Sequence, residues 1–246
     1  MTSMLATEVQ WPAPPPVRAV ITGRSGGVSP GAYAQLNLSL RCGDDPRAVQ
    51  ENRARLRRVL GLPRDPVWLQ QVHGNRVVDL PSADDEPVAD ASVSRTAGVA
   101  CVVLTADCLP VLFCADDGSV VAAAHAGWRG LAGGVIEATL AALRVDPARV
   151  LAWLGPAIGP DSFEVGTDVY RAFVDGDAGA AAAFRPLPMA GKFHADLFAL
   201  ARRRLRAAGV TRIFGGGVDT FSRGAQFFSF RRDRVTGRQA ALVWLQ

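Results

Sequence analysis

Three short apolar segments follow one another in the middle of the chain, and they restrict the fold more than any other feature. They are Val99–Leu104, Pro110–Cys114 and Val120–Ala124. Short continuous apolar runs are typical of strands that are buried on both faces. Hydrophobic residues make up 49% of the 246 residues, which is enough to bury a sizeable core around such strands.

The remaining segments mix helix and strand signals without strict alternation. Further strands are predicted at Val17–Thr22, Leu36–Leu40, Val67–Val72, Arg76–Leu80, Val150–Leu154, Thr211–Phe214, Gln226–Phe230 and Ala240–Leu245. Helices are predicted from Asp45-Pro46 to about Leu60, and over Leu131–Leu143, Gly166–Val174 and Ala195–Ala208. This order predicts an α/β (α+β) fold, a layered sandwich of mixed β-sheets flanked by helices.

The organisation along the chain predicts one domain. Residues 1–16 end in Pro12-Ala13-Pro14-Pro15-Pro16, so a loose Pro-rich leader is expected there. No internal repeat or linker follows, and residues 17–246 are interpreted as a single catalytic domain.

Composition excludes several classes of function. The net charge of +4 is mild and spread along the chain, so no nucleic-acid partner is expected. No apolar run reaches the roughly 20 residues that a membrane helix needs, and no signal peptide is recognisable. Four cysteines are too few for a disulfide scaffold of this size. We therefore expect a cytoplasmic protein with free thiols.

The residues that carry chemistry lie where apolar segments end. Of the three histidines, His73 and His125 adjoin small residues at predicted strand ends, and Cys108 follows another apolar strand between them. Two imidazoles and one thiolate suit zinc, and three protein ligands leave a position open for water or substrate. The third histidine, His194, is interpreted as a cap or surface residue.

Residue types alone leave alternatives open. The three positions are 35 and 17 residues apart, which matches no short zinc-finger spacing. Cys108 and His125 could instead be a nucleophile and base for amide chemistry without metal. Cys108 could also be an ordinary buried cysteine, as is expected for Cys101 and Cys114.

Segments along most of the chain, from about Val20 to Trp244, resemble one family. They include Thr22-Gly23-Arg24-Ser25-Gly26-Gly27-Val28-Ser29, Gln70-Gln71-Val72-His73-Gly74, Ala106-Asp107-Cys108, His125-Ala126-Gly127-Trp128-Arg129-Gly130, Gly155-Pro156-Ala157-Ile158-Gly159-Pro160, Phe228-Ser229-Phe230-Arg231-Arg232 and Thr236-Gly237-Arg238. The chain is thereby identified as similar to the YfiH family, also called the laccase-domain or polyphenol-oxidase-like purine nucleoside phosphorylases. It departs from the usual family pattern at Ala157, Asp219-Thr220 and Phe230.

The resemblance implies a single-domain layered α/β fold that is monomeric or weakly associating. It implies zinc on His73, Cys108 and His125, and purine nucleosides and phosphate as partners. The implied reactions are phosphorolysis of adenosine, inosine and methylthioadenosine, and deamination of adenosine. A role in keeping peptidoglycan precursors correct is also attached to the family.

Further residues are candidates for catalysis and substrate binding. Asp107 is a candidate proton shuttle because it adjoins Cys108, although strand neighbours face opposite ways. Guanidinium groups bind phosphate bidentately, which makes Arg24, Arg129 and Arg231 candidates. Asn37 is a candidate for substrate contact or for holding its loop by side-chain hydrogen bonds.

The laccase name itself can be tested by counting ligands. Three histidines are too few for a multicopper cluster, so laccase chemistry is not expected of this chain alone. A single copper at the zinc ligands, and hence a copper-binding polyphenol oxidase, stays an alternative.

Overall fold

Two large β-sheets pack face to face in the computed structural model, which describes residues 5–246. Helices cover the outer face of each sheet, so the chain has four layers in the order helix, sheet, sheet, helix. The strands are β1 (Ala6–Glu8), β2 (Val17–Thr22), β3 (Val77–Leu80), β4 (Ala91–Ser94), β5 (Cys101–Thr105), β6 (Leu109–Ala115), β7 (Val121–Ala126), β8 (Val150–Leu154), β9 (Glu164–Gly166), β10 (Phe184–Pro186), β11 (Lys192–Ala195), β12 (Arg212–Gly215) and β13 (Gln239–Leu245). The helices are α1 (Pro46–Leu60), α2 (Trp128–Ala132), α3 (Val135–Leu143), α4 (Thr167–Val174), α5 (Leu197–Ala207) and α6 (Phe230–Asp233). The expected layered α/β sandwich is confirmed.

The sheets differ in the order of their strands and in whether neighbouring strands run parallel or antiparallel. The six-stranded sheet has the order β12-β8-β6-β7-β4-β3, antiparallel in its middle and parallel at both outer pairs. The four-stranded sheet, β1-β2-β13-β5, is antiparallel throughout. A small antiparallel sheet, β10-β11-β9, lies beside the helical layer of the larger sheet.

The apolar middle of the sequence becomes the centre of the molecule. Along β6, Val111 and Phe113 face the helical layer, whereas Leu112 and Cys114 face the other sheet. All four side chains are fully buried. Because both faces are covered, the sequence shows a continuous apolar run in place of alternation.

Helix α1 forms where capping residues predicted it. The Asp45 side chain accepts the backbone N–H of Arg47 at 2.9 Å, Pro46 occupies the first turn, and Gly61 ends the helix at φ 63°. The helix predicted over Leu131–Leu143 is instead two helices, α2 and α3. Gly133 and Gly134 separate them, and Gly134 has φ 87°, a left-handed conformation that glycine adopts readily.

Three predicted strands are wrong: Leu36–Leu40, Val67–Val72 and Gln226–Phe230 are irregular. Leu36 and Leu38 alternate because both are fully buried, but single backbone bonds to Arg24 and Arg238 and side-chain bonds from asparagines hold their loop in place of a strand ladder. The sequence reading also missed β4 and the small sheet. Within the segment expected to be a loose leader, Ala6–Glu8 pairs with β2 as an edge strand. No helix among residues 5–246 is long and apolar enough to cross a membrane.

Candidate metal centre

Three potential metal ligands meet at one end of the six-stranded sheet. The donor atoms of His73, Cys108 and His125 all lie within 4.8 Å of one another. Cys108 Sγ is 3.8 Å from His73 Nε2, and the two imidazole rings meet edge to face with centroids 4.8 Å apart. The predicted ligand set is therefore brought together by the fold.

Two of these ligands come from one hairpin. Cys108 immediately precedes β6, and His125 is the penultimate residue of β7, where it pairs with Pro110. His125 is buried and Cys108 is half-buried. His73 comes from the turn before β3 and is exposed, with φ 61°. A non-glycine residue in this left-handed region needs its surroundings to hold it there.

Asp90, which the sequence reading missed, holds that turn. Its fully buried carboxylate accepts the backbone N–H groups of Val72, His73 and Gly74 at 3.1, 2.9 and 2.7 Å. It also contacts His125 Nδ1 at 2.8 Å. One carboxylate thus fixes the His73 turn and orients the His125 ring, leaving its Nε2 free to ligate a metal. The available signal was a lone aspartate within the apolar segment Val88–Ala91.

Glycine is required where α2 approaches the site. A Cβ on Gly127 would lie 2.9 Å from Cys108 Sγ and 3.0 Å from His73 Cδ2. A Cβ on Gly130 would lie 2.7 Å from the Gly74 carbonyl oxygen. Side chains at these positions would push the ligands apart, so the glycines permit the close packing of the three donors.

The residues present fit a metal ion. In a tetrahedral site with metal–sulfur and metal–nitrogen distances of about 2.3 and 2.0 Å, sulfur and nitrogen ligands lie roughly 3.5 Å apart. The Cys108–His73 separation of 3.8 Å is within a few tenths of this value. The site offers three donors, which leaves a fourth coordination position open, and a carboxylate lies behind one imidazole. Both features are typical of a reactive metal site rather than of a closed structural one.

The electrostatics of the site favour a thiolate. Burial by itself would raise the pKa of the Cys108 thiol, but the charge and hydrogen bonds of His125 and His73 outweigh it and lower that pKa to about 6. Burial would lower the pKa of His125, yet the Cys108 charge and the Asp90 hydrogen bond raise it to about 9. By contrast, burial raises the pKa of Cys101 and Cys114 to about 12. Only Cys108 among these three is prepared for metal binding.

A cavity of about 350 Å³ opens onto the three ligands. Its wall consists of Ser39, Arg41, Leu69, Gln71, His73, Leu104, Thr105, Ala106, Cys108, His125, Phe230 and Arg238. Gln71 does not project freely, because its amide makes two hydrogen bonds to the Leu104 backbone, at 2.8 and 2.7 Å. The volume falls in the range of small-molecule sites.

Comparison with known proteins places this site in a family. Residues 18–246 match a family described as multi-copper polyphenol oxidoreductase laccase. A Pseudomonas aeruginosa protein named as a purine nucleoside phosphorylase is 56% identical over 238 residues, covering 96% of each chain. The Escherichia coli purine nucleoside phosphorylase YfiH is 52% identical over 240 residues, covering 96% of this chain and 97% of that one. The chain belongs to the YfiH family.

A solved structure of a YfiH-family relative supports the same conclusion. A Neisseria meningitidis protein superposes with a TM-score of 0.93 at 51% identity, covering 98% of this chain and 99% of that one. The three histidines of this chain remain too few for the multicopper cluster that the family description mentions.

Four residues predicted to bind substrate or phosphate lie outside the cavity wall. Asn37 is fully buried, and hydrogen bonds within the protein engage both polar atoms of its amide, so that it holds its loop, which is one of the two roles expected of it. Arg24 donates to the carbonyls of Ala34 and Gly224 and stacks over Phe228. Burial lowers its pKa.

The other two predicted arginines are also engaged elsewhere. Arg129 is exposed and stacks over the ring of its neighbour Trp128. Arg231 donates through Nη1 to the Glu164 carbonyl and lies over the Phe163 ring. Neither guanidinium lines the cavity that holds the three ligands.

Asp107 adjoins Cys108 but its carboxylate has other partners. It accepts the Thr220 hydroxyl and the Arg231 backbone N–H, each at 2.7 Å. Its backbone has φ 89°, and its carbonyl accepts the N–H of Ile158 at 2.9 Å. Asp107 therefore joins the Cys108 turn to two other loops.

The family departures and His194 also have defined places. Ala157 pairs directly with Asp219, so two of the departures are neighbours in space. Phe230 lines the cavity and is half exposed. His194 is not a cap; it lies in β11 and contacts Arg185 at 2.8 Å.

Proposed function

We propose that this protein is a zinc-dependent purine nucleoside phosphorylase that also deaminates adenosine. It would convert adenosine, inosine or methylthioadenosine and phosphate to the free base and the sugar 1-phosphate. The observation that carries the proposal is the set of His73, Cys108 and His125 on the wall of one cavity. The names of the relatives described above support it.

Zinc is the proposed metal because of the donor set. Two imidazole nitrogens and one thiolate suit zinc and leave a coordination position open. When bound, zinc supplies a Lewis acid that activates water near neutral pH, as deamination requires. Copper binds such donors more tightly in general, so reconstitution of the metal-free protein with one metal at a time separates the two.

The protein side chains orient and enclose the reactants. Asp90 accepts a hydrogen bond from His125 Nδ1–H and so holds Nε2 towards the cavity. Leu69, Leu104 and the ring of Phe230 supply apolar surface for a purine. Phosphorolysis breaks the bond between sugar C1′ and the purine nitrogen and forms a bond from C1′ to a phosphate oxygen. The reaction therefore needs a place for an anion beside an apolar surface.

The deciding experiment measures metal and product together. Wild type, Cys108→Ala and the control Cys101→Ala would be analysed for metal by mass spectrometry and for base release from inosine with phosphate by chromatography. We expect about one zinc per chain in wild type, and loss of both metal and at least about a hundredfold of the activity in Cys108→Ala. Cys101→Ala removes an equal thiol from the core and keeps both. Base release at the wild-type rate by folded Cys108→Ala would overturn the proposal.

Two further expectations stay proposals. A cytoplasmic location is supported by the four free cysteines, since thiols persist in reducing compartments. The monomeric or weakly associating state that the family implies is testable by light scattering across a range of protein concentrations, where a fixed dimer mass at every dilution would contradict it.

A further inference from the structure

The cavity wall carries two arginines, Arg41 and Arg238, and no aspartate or glutamate. Neither arginine was among the phosphate ligands predicted from the sequence. The positive charge that faces the three ligands therefore comes from these two side chains. A cavity whose wall holds guanidinium groups but no carboxylate favours an anionic occupant.

Arg238 is the better prepared of the two. Its Nη1 donates to the carbonyl oxygens of Thr236 and Gly237 at 2.9 and 3.0 Å. These bonds fix the plane of the guanidinium, and Nε and Nη2 have no hydrogen-bond partner among residues 5–246. No carboxylate in that part of the chain forms an ion pair with it. The remaining donors make a fork of the kind that binds a phosphoryl group bidentately.

Arg41 is partly neutralised. Its Nη2 lies 2.9 Å from Glu86 Oε2, and its side chain is 54% exposed. Glu86 is shared with Arg53, whose Nη1 is 3.7 Å from the other carboxylate oxygen. Because Arg53 also satisfies Glu86, Arg41 can turn towards an anion in the cavity without leaving that carboxylate unpaired.

Asn37 joins the two loops that carry these arginines. Its Oδ1 accepts the backbone N–H of Arg238 at 2.9 Å and that of Ser39 at 3.1 Å. The Leu38 N–H donates to the Arg238 carbonyl at 3.2 Å. The segment just before Arg41 is thus held beside the Arg238 backbone, so the two arginines extend from adjoining loops.

We propose that Arg41 and Arg238 form the subsite for a phosphoryl oxyanion in this cavity, occupied by inorganic phosphate as the co-substrate; this rests on the proposed phosphorolysis. A nucleoside 5′-phosphate offers the same chemistry and is the competing source. The subsite lies on the same wall as the metal ligands, so a bound phosphate would share the cavity with the nucleoside.

The test measures the KM for phosphate at saturating inosine on zinc-loaded protein. The variants are Arg238→Gln, Arg238→Lys and Arg41→Gln, with Arg206→Gln on the exposed side of α5 as the matched control. We expect the KM for phosphate to rise about tenfold or more in Arg238→Gln and roughly threefold in Arg41→Gln. Arg238→Lys recovers part of the loss. In these variants we expect wild-type values of the KM for inosine, of the zinc content and of the melting temperature. The control Arg206→Gln should keep the wild-type KM for phosphate as well.

Each outcome decides a separate question. If both glutamine variants keep the wild-type KM for phosphate, the subsite assignment is wrong. If Arg238→Gln leaves that KM unchanged but abolishes inhibition by adenosine 5′-monophosphate, the subsite serves a nucleotide and inorganic phosphate is excluded. If wild type releases no base with phosphate, the proposed function fails, and calorimetric titration with phosphate then tests the subsite alone. Should Arg238→Gln not fold, the test rests on Arg41→Gln and on Arg238→Lys, each of which should have a KM for phosphate above the wild-type value.

Discussion

Asp90 and Asp107 are two buried carboxylates beside the same three ligands, and they differ in what they touch. Asp107 is the sequence neighbour of Cys108, yet its oxygens bind Thr220 and the Arg231 backbone. Asp90 is distant in sequence from all three ligands, yet it contacts the His125 ring and the His73 backbone. Adjacency in the chain directs Asp107 away from the ligands, whereas sheet pairing brings Asp90 behind them. The site is therefore supported by residues that its motifs do not contain.

The largest expected effect is that of Asp90→Asn. The amide replaces an acceptor oxygen with an NH₂ group that faces backbone donors, so the His73 turn and the His125 ring both lose their support. We expect zinc affinity to fall about ten- to a hundredfold, measured by competition with a chromophoric chelator. Unchanged affinity in a folded variant would remove the distinction between the two carboxylates.

Gly127→Ala tests whether the donors need their close spacing. The new Cβ would lie 2.9 Å from Cys108 Sγ, and overpacking of this kind costs roughly 1–3 kcal/mol. Zinc affinity should fall about tenfold, and the melting temperature should fall by several degrees. Gly176→Ala is the control, because a Cβ there meets nothing within 4 Å. Equal behaviour of the two variants would argue against a packed ligand set.

Asp107→Asn is expected to have a smaller effect, on stability rather than on metal. Loss of one of its two hydrogen bonds should lower the free energy of unfolding by about 1–2 kcal/mol, measured by urea denaturation. Zinc affinity should stay within about threefold of wild type. A fall in kcat of about a hundredfold, without loss of stability or of zinc, would instead assign Asp107 the proton-shuttle role predicted from its position.

The smallest expected effect is a shift in the pH at which Cys108 becomes reactive. Because the thiolate is the reactive form, alkylation of Cys108 in the metal-free protein should accelerate as pH rises through about 6 and level off above it. Cys101 and Cys114, with pKa values near 12, should stay unlabelled at pH 8. Peptide mapping by mass spectrometry separates the sites. Asp90→Asn should move the Cys108 midpoint to higher pH and Asp107→Asn should leave it in place.

The sequence predicts correctly those helices and strands that are determined by residues within their own segment. Strand β8 and helix α1 have the expected bounds because an apolar run and a capped, Pro-initiated turn lie within the segments themselves. The alternation of Leu36 and Leu38 predicted a strand that does not form, since Asn52 and Asn37, not a neighbouring strand, bind that loop. Edge strand β1 carries little apolar signal and depends on β2 for its structure.

At the site, too, the sequence predicts residues that are recognisable by their own chemistry and misses those whose role depends on distant contacts. His73, Cys108 and His125 were predicted because their residue types carry a recognisable ligand chemistry. Asp90 could not be, because its role depends on the pairing of β4 with β7, which no single segment encodes. The arginines predicted from guanidinium chemistry lie outside the cavity wall because guanidinium groups also bind backbone carbonyls and aromatic rings, as Arg24 does.

The β6–β7 hairpin has a consequence for protein engineering. Cys108 and His125 both lie at its open end, and its turn over residues 116–120 lies at the opposite end of the sheet. A residue inserted within β7 would reverse the face of every side chain beyond it, His125 included. Extra residues placed in the turn would leave that register intact. Asp117 and Ser119 are the exposed residues of this turn, so an affinity tag or a fluorescent reporter is best introduced between them if the ligands are to keep their spacing.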